Sequence, residues 1–439
     1  MTTTAESPPN ARAVAVEALI RIEDGAYAHI LLPELLRQHP FESRDRAFVT
    51  ELVYGTVRMQ RALDFLLARV ASRPIGKLDP DVRAALRLGA FQLFTGVSPH
   101  AAVGETVGVV SERARGFTNG ALRALARSGP TWNLPGGDDV ISIATRTSHP
   151  DWIVQRFIEE LGRDDALATL ALDNEPPSVT LRVNPMRSTS DAVMAELEAA
   201  GIEVEPGTLV PDALLVRHTG DLGRLEALRD GRVTPQDQAS QAVVAALDPQ
   251  PGERVLDVAS APGGKATAAA ERMRDDGLVV AADVHPARVR TVMRAAARCD
   301  LRSIAPVAAD GRRLPVADAS FDRVLLDAPC SGLGVLRRRP DARWRVQPRD
   351  ANDLAGLQRD MLTAAARAVR PGGRLVYSVC TLTRIETEAV DAFAASELPG
   401  FVALPPPGDP WRRHGRGALL VPSAARTDGM FVLVLERSR

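Results

Sequence analysis

Residues 254–265, Arg-Val-Leu-Asp-Val-Ala-Ser-Ala-Pro-Gly-Gly-Lys, constrain this chain more than any other stretch. Val255, Leu256, Val258 and Ala259 make an apolar run of the length of a buried strand. Pro262-Gly263-Gly264 breaks the run, and an alanine-rich helical stretch follows from Lys265 to Met273. A strand that turns through glycines into a helix brings free backbone N–H groups close to a ligand. Asp257 inside the strand and Asp283 at the end of the next disfavour a phosphate chain there and suit a ribose or an ammonium better. Alone, a Gly-Gly turn is an ordinary βα connection, so its meaning rests on its surroundings.

Those surroundings alternate strand and helix from residue 250 onward. Strands are predicted at 254–259, 278–283, 304–309, 322–327 and 374–379, with a terminal one at 430–436. Helices are predicted at 264–274, 286–298, 351–369 and 384–396. This order reads as a doubly wound parallel sheet, whose ligands bind at the carboxyl ends of the strands. The first strand delivers Ser260 and the glycines there, the second Asp283, the third Asp310, the fourth Asp327 and Cys330, the fifth Cys380. One such polar end would be an unremarkable helix cap; five in succession mark a site. Asp283 is placed after Gly263 at a distance suited to ribose hydroxyls, but the turn is not Gly-x-Gly-x-x-Gly, so a nicotinamide dinucleotide is disfavoured. Asp310 is expected to face an adenine amino group.

Composition narrows the function classes. At 439 residues the chain has room for two or three domains. No run of ~18 apolar residues predicts a membrane span, and residues 1–10 lack the basic and apolar regions of a signal peptide. Cys299, Cys330 and Cys380 form neither a disulfide framework nor a metal-ligand spacing, so no metal is expected and a reducing cytoplasmic setting is. A net charge of −1 excludes a uniformly basic nucleic-acid binder but not a local basic stripe. Lys77 and Lys265 are the only lysines beside many arginines, which points to a compact ammonium being needed directly after Gly-Gly.

Residues 10–128 show helical periodicity throughout, enough for five to seven helices, and the expected domain runs from 8 to 130. Its landmarks occur in order: Asp45-Arg46-Ala47-Phe48-Val49, then Tyr54-Gly55, Leu86-Arg87-Leu88-Gly89-Ala90-Phe91-Gln92-Leu93 and Gly116-Phe117-Thr118-Asn119-Gly120. The block resembles the NusB-type antitermination domain, which implies an RNA-binding helical fold with Arg12 and Arg21 as candidate contacts. The Pro/Gly loop 128–137 ends it. A small α+β unit follows at 145–235, with strands near 179–185, 202–204 and 214–217 and no visible chemistry. The segment 231–240 then leads into a helix that abuts the central strand of the 236–439 domain.

A free cysteine is usually a buried, inert thiol, and Cys299 on its helix reads that way. Cys330 and Cys380 do not, because the topology brings both to one mouth. A thiolate there can add to C6 of a cytosine and make C5 a carbon nucleophile, given a methyl donor and an acid that hydrogen-bonds the base. Asp327 is the candidate acid. Asp257-x-x-x-Ala261-Pro262-Gly263-Gly264-Lys265, Leu326-Asp327-Ala328-Pro329-Cys330-Ser331-Gly332-x-Gly334 and Val379-Cys380-Thr381 resemble the RNA cytosine-5 methyltransferases of the NOL1/NOP2/Sun family.

That resemblance implies a Rossmann-like class I methyltransferase domain. It implies S-adenosyl-L-methionine held by Ala259, Ser260, Ala261, Pro262, Gly263, Gly264, Lys265, Asp283, Asp310 and Asp327. It implies Cys380 as nucleophile and Cys330 in product release. Two departures stand out: Ala259-Ser260-Ala261 where the family commonly has Cys-Ala-Ala, and Ala266 where it commonly has Thr. Pro329-Cys330 also matches the nucleophile of DNA cytosine methyltransferases, which is the competing assignment.

Arg337, Arg338 and Arg339 follow Cys330 closely and are expected to contact RNA phosphates, with Arg343, Arg345 and Arg349 nearby. Trp344 could stack on a base or anchor the loop. The expected protein is a monomeric, cytoplasmic multidomain enzyme that methylates C5 of a cytosine in RNA, ribosomal small-subunit RNA before transfer RNA. From another class, a non-catalytic RNA-binding or assembly factor could keep the fold, but intact Cys330, Cys380, Asp327 and Lys265 speak against it. A small-molecule methyltransferase would not need the two accessory domains.

Overall fold

The computed structural model describes residues 10–129, 132–217 and 225–439. The expected outer limits of the helical domain, 8 and 130, lie outside these residues, as does Thr131 of the expected linker. The chain forms two compact units. The first holds the residues up to Arg156 together with Asp173–Glu175 and Leu336–Arg345; the second holds Phe157–Leu172, Pro176–Val335 and Val346–Arg439.

The first unit is helical, as its periodicity predicts. Seven helices (Ala11–Glu23, Ala28–Gln38, Ser43–Arg58, Gln60–Ala68, Pro80–Phe94, Pro99–Gly108, Glu112–Arg127) surround a core that includes Leu52, Leu63, Leu86, Leu88 and Leu122. The first helix starts where Asn10 accepts bonds from the Arg12 and Ala13 amides, satisfying two otherwise orphaned donors. Two helices cross closely at Gly55: a Cβ there would lie 2.0 Å from the Phe91 ring, so any side chain would force them apart. The Arg87 guanidinium is mostly buried and forks onto Asp64 at 2.7 and 2.8 Å, with Glu23 at 3.1 Å.

The segment Leu336–Arg345 packs into this unit through its arginines. Arg343 is fully buried and donates to the carbonyls of Arg58, Ser148 and Asp173 and to Asn174 Oδ1, at 3.0–3.2 Å. Arg337 is 6% exposed, with its guanidinium on Glu175. Trp344 Nε1 donates to the Val57 carbonyl at 2.8 Å, and Arg345 lies over the Tyr27 ring. Of the arginines expected to contact RNA, Arg337 is therefore engaged within the protein in this structure, as is nearby Arg343. The Arg343 guanidinium serves buried oxygens, that of Arg337 serves the half-exposed Glu175, and Trp344 anchors the segment. Of Arg337, Arg338 and Arg339, only Arg339 is exposed.

The second unit begins its sheet structure with β1 (Val179–Val183), β2 (Glu203–Pro206), β3 (Ala213–Arg217) and β4 (Val233–Pro235). They form an antiparallel sheet in the order β2-β3-β1-β4, over a small core containing Leu181, Val193, Leu214 and Val233. The reading of 231–240 as a lead into a helix missed β4, which is only three residues long.

The large sheet has β5 (Arg254–Asp257), β6 (Leu278–Asp283), β7 (Ile304–Ala308), β8 (Phe321–Asp327) and β9 (Val369–Val379) running parallel in the order β9-β8-β5-β6-β7. From β5 the chain winds outward through β6 and β7, then returns to the other side through β8 and β9. The strand order therefore reverses between β5 and β8, which opens a crevice at their carboxyl ends. The expected parallel sheet is extended by antiparallel strands. β13 (Met430–Arg437) pairs with β9, and the hairpin of β11 (Arg412–His414) and β12 (Gly417–Leu420) continues beyond it; β10 (Phe401–Ala403) also pairs with β13.

Candidate active site

β5 ends at Asp257, and the turn after it is built for close approach. The Ser260 amide donates to Ala282 O at 2.8 Å, and the Gly263 amide donates to Ser260 O at 2.8 Å. Gly263 sits at φ +106°, a region that favours glycine, and a Cβ there would also lie 3.1 Å from Val292 Cα. The helix Gly264–Arg272 starts directly after it. Ala266 brings no hydroxyl to the helix start, and Thr267 Oγ1, one residue on, donates to the Gly263 carbonyl at 2.9 Å.

Asp257 is buried, and neither of its carboxyl oxygens completes a hydrogen bond among the described residues; nor does Ser260 Oγ. Burial pushes the Asp257 carboxyl up to about 7. The nearby Ser260 hydroxyl and the Lys265 ammonium offset this in part, while the Asp327 charge adds to it. Asp283, at the end of β6, is buried; its Oδ1 accepts from the His285 amide at 3.0 Å. Arg288 bridges this acid and the turn, 3.5 Å from Asp283 Oδ2 and donating to Ala261 O at 2.9 Å. Asp310 is pulled down to about 2 by hydrogen bonds from Arg312, whose Nη2 is 2.7 Å away.

β8 and β9 are neighbours in a register that sets Asp327 opposite Ser378. Cys330 and Cys380, a few residues beyond those partners, therefore meet: their sulfurs are 3.3 Å apart. Each oxygen of Asp327 has one partner among the described residues and further acceptor capacity: Oδ2 lies 2.6 Å from Lys265 Nζ, and Oδ1 accepts from Ser378 Oγ at 2.8 Å. Burial would lower the Lys265 pKa, but Asp327, Cys380 and Asp257 together raise it, so the ammonium form is held. The Cys330 thiol is held protonated, its pKa raised by the hydrogen bond with Cys380, by burial and by the nearby negative charges. Cys299, in contrast, is buried near Thr234 at the end of the helix Pro286–Arg298, away from this chemistry.

Ser378 and Arg182 were not singled out from the sequence. Arg182, on β1, is 5% exposed and spans to the cofactor-loop helix. It donates to both oxygens of buried Glu271 at 2.8 and 2.9 Å, to Thr267 Oγ1 at 3.0 Å, to Gly264 O at 2.8 Å and to Gln236. An alternating strand gave no sign that its arginine points inward.

The acids and the turn fit an adenosine carrying a cationic sulfonium. Asp257 and Ser260 retain unused polar atoms, and the lysine of the turn is engaged by Asp327 rather than free for a phosphate chain. Among the described residues no helix is long and apolar enough to cross a membrane.

Comparison with known proteins matches residues 244–436 to the family model "16S rRNA methyltransferase RsmB/F". Residues 9–127 match the NusB family, and residues 149–222 match the ferredoxin-like domain of the RsmF/B-like methyltransferases. The chain is 36% identical to the probable ribosomal RNA small subunit methyltransferase B of Bacillus subtilis, covering 97% of this chain and 98% of that one. It is 34% identical to the ribosomal RNA small subunit methyltransferase B of Salmonella arizonae, covering 96% and 97%. The crystal structure of PH0851 superposes with a TM-score of 0.84 at 26% identity, covering 99% of this chain and 100% of that one. NSun6 from Pyrococcus horikoshii shares the fold over 66% of this chain and 98% of its own, with a TM-score of 0.60 at 21% identity.

Proposed function

The chain belongs to the RsmB/F family of S-adenosylmethionine-dependent 16S rRNA methyltransferases, and on that premise we propose that it methylates C5 of a cytosine in small-subunit ribosomal RNA through a covalent adduct on Cys380. The observation that carries this reading is the meeting of Cys380 with Cys330 at 3.3 Å, beside the Lys265–Asp327 pair. When bound, S-adenosylmethionine supplies an electrophilic methyl group on sulfur and leaves as a neutral thioether. Ala259 to Lys265, Asp283, Asp310 and Asp327 are the residues we assign to holding it.

Cys380 Sγ attacks C6, and the ring electrons it displaces make C5 nucleophilic. Lys265 Nζ is close enough to Cys380 for the two groups' charges to interact. Asp327 orients that ammonium and supplies the polar contact to the ring. After C5 is methylated, a base takes the C5 proton. The C5–H electron pair re-forms the C5–C6 double bond, and the C6–S pair leaves with Cys380. We assign release to Cys330, whose sulfur at 3.3 Å is near enough to pass a proton to the departing Cys380 sulfur. The target base must be single-stranded or leave its stack to meet Cys380. Arg339 is the arginine of the 337–339 stretch best placed for phosphate contact.

The decisive experiment uses RNA containing 5-fluorocytosine, whose C5 cannot lose a proton. Cys380→Ala is expected to abolish covalent trapping, and Cys330→Ala to retain it. Trapping that survives Cys380→Ala and vanishes with Cys330→Ala would transfer the attack to Cys330. Bisulfite mapping of ribosomal and transfer RNA from a deletion strain identifies the target; an unchanged small-subunit RNA would overturn the substrate assignment.

A further inference from the structure

The two cysteine loops converge on one buried carboxylate for which the scheme above has no use. Glu386 is 0% exposed. Its Oε1 accepts from the Ser331 amide at 2.8 Å and from Gln358 Nε2 at 3.1 Å. Its Oε2 accepts from Ser331 Oγ at 2.5 Å, Thr383 Oγ1 at 2.8 Å and Thr381 Oγ1 at 3.1 Å. Ser331 directly follows Cys330, and Thr381 directly follows Cys380. The same Gln358 Nε2 also donates to Pro329 O at 2.9 Å, so the residue on the other side of Cys330 is tied to the same hub.

An ionised carboxylate is very costly to bury unless donors converge on it. Here the donors come from both cysteine loops, so the arrangement is satisfied only while the loops stay together. The two thiols depend on it unequally. Cys380 directly follows β9, which is paired on both sides, to β8 and to β13. Cys330 lies beyond the end of β8 in a loop without regular pairing, and its following residue makes two bonds to Glu386.

We propose that Glu386 is a positioning residue that holds the Cys330 thiol against the Cys380 sulfur, so that its loss slows release of the methylated base from Cys380 more than attack or cofactor binding. This rests on the assignment of Cys330 to release made above.

The test uses the full chain, a small-subunit rRNA transcript and S-adenosylmethionine, with Glu386→Gln, Thr383→Val and Cys330→Ala in parallel. Rapid quenching gives the rate of adduct formation, denaturing gels the steady-state adduct, and calorimetry the cofactor affinity. For Glu386→Gln we expect a kcat about tenfold lower, a KM that falls with it, and RNA–protein adduct that accumulates, with cofactor affinity within about twofold of native. Thr383→Val, which removes one donor and keeps the carboxylate, should shift the same readouts less and serves if Glu386→Gln does not fold. Adduct that fails to accumulate in both Glu386→Gln and Thr383→Val, while Cys330→Ala accumulates it, would overturn this proposal alone. If Cys330→Ala itself accumulates none, the assignment of Cys330 to release falls first. A parallel loss of attack and cofactor affinity would reduce Glu386 to a general folding role and likewise overturn the proposal.

Discussion

The buried polar groups that brace the site and those that line its glycine turn are treated in opposite ways. Among the braces, Glu386 receives five donors, and Arg182 gives its guanidinium to Glu271, Thr267, Gln236 and Gly264. At the turn, Asp257 and Ser260 are buried without completed hydrogen bonds among the described residues. Folding alone completes the supports, which freezes the positions of the cysteines and the Gly-Gly turn. The cradle keeps polar capacity for chemistry that comes from outside the chain, at the cost of some stability.

The largest effect should come from breaking a support. Arg182→Met would leave Glu271 buried without its partner, which costs about 3–5 kcal/mol. Equilibrium urea unfolding measures it. A loss under ~1 kcal/mol would show that Glu271 finds another donor or water, and that β1 does not brace the cofactor loop.

Asp257→Asn probes the cradle, with an effect of opposite sign. The folded Asp257 pKa is raised to about 7 from an ordinary value near 4. The native state therefore binds a proton that the unfolded chain releases earlier. Its stabilising contribution is complete below about pH 4 and is lost as pH rises to about 7. Relative to the native chain, Asp257→Asn should thus gain stability between those pH values, by on the order of 4 kcal/mol, and level off above. Thermal unfolding across pH 4–8 gives the curve; a difference that does not change with pH would mean the carboxyl ionises normally in the fold.

Arg337 and Arg339 repeat the contrast two positions apart, one buried on Glu175 and one exposed. Arg339→Ala should lower the slope of log affinity against log salt for RNA by about 1 and leave the melting temperature unchanged. Arg337→Ala should do the reverse. A salt slope that moves with Arg337 instead would put that guanidinium on RNA in the complex.

Much of the site was legible because it is local. The run Val255–Ala259, the Pro262-Gly263-Gly264 break and the alanines after it specify strand, turn and helix within a dozen residues. The polar strand ends could be aligned because a parallel sheet places successive carboxyl ends at one edge. The short edge strands β4 and β11 were not legible, since three residues carry no usable period. The burial of Arg337 on Glu175 was not legible for a related reason: a cluster of arginines beside a site shows no partners until its neighbours in space are known.

What the sequence determined by itself was the order of elements, the glycine turn and the chemistry available at each strand end, because each depends on near neighbours along the chain. Only the tertiary structure decided which charged groups are used up and which are left for function. Asp327 meets Lys265 across 62 residues, Arg182 meets Glu271 across 89, and Cys330 meets Cys380 across 50. The energy of such a group is set by its burial and its partners rather than by its position in the chain. Two arginines with the same letter can therefore hold a fold together or reach for RNA.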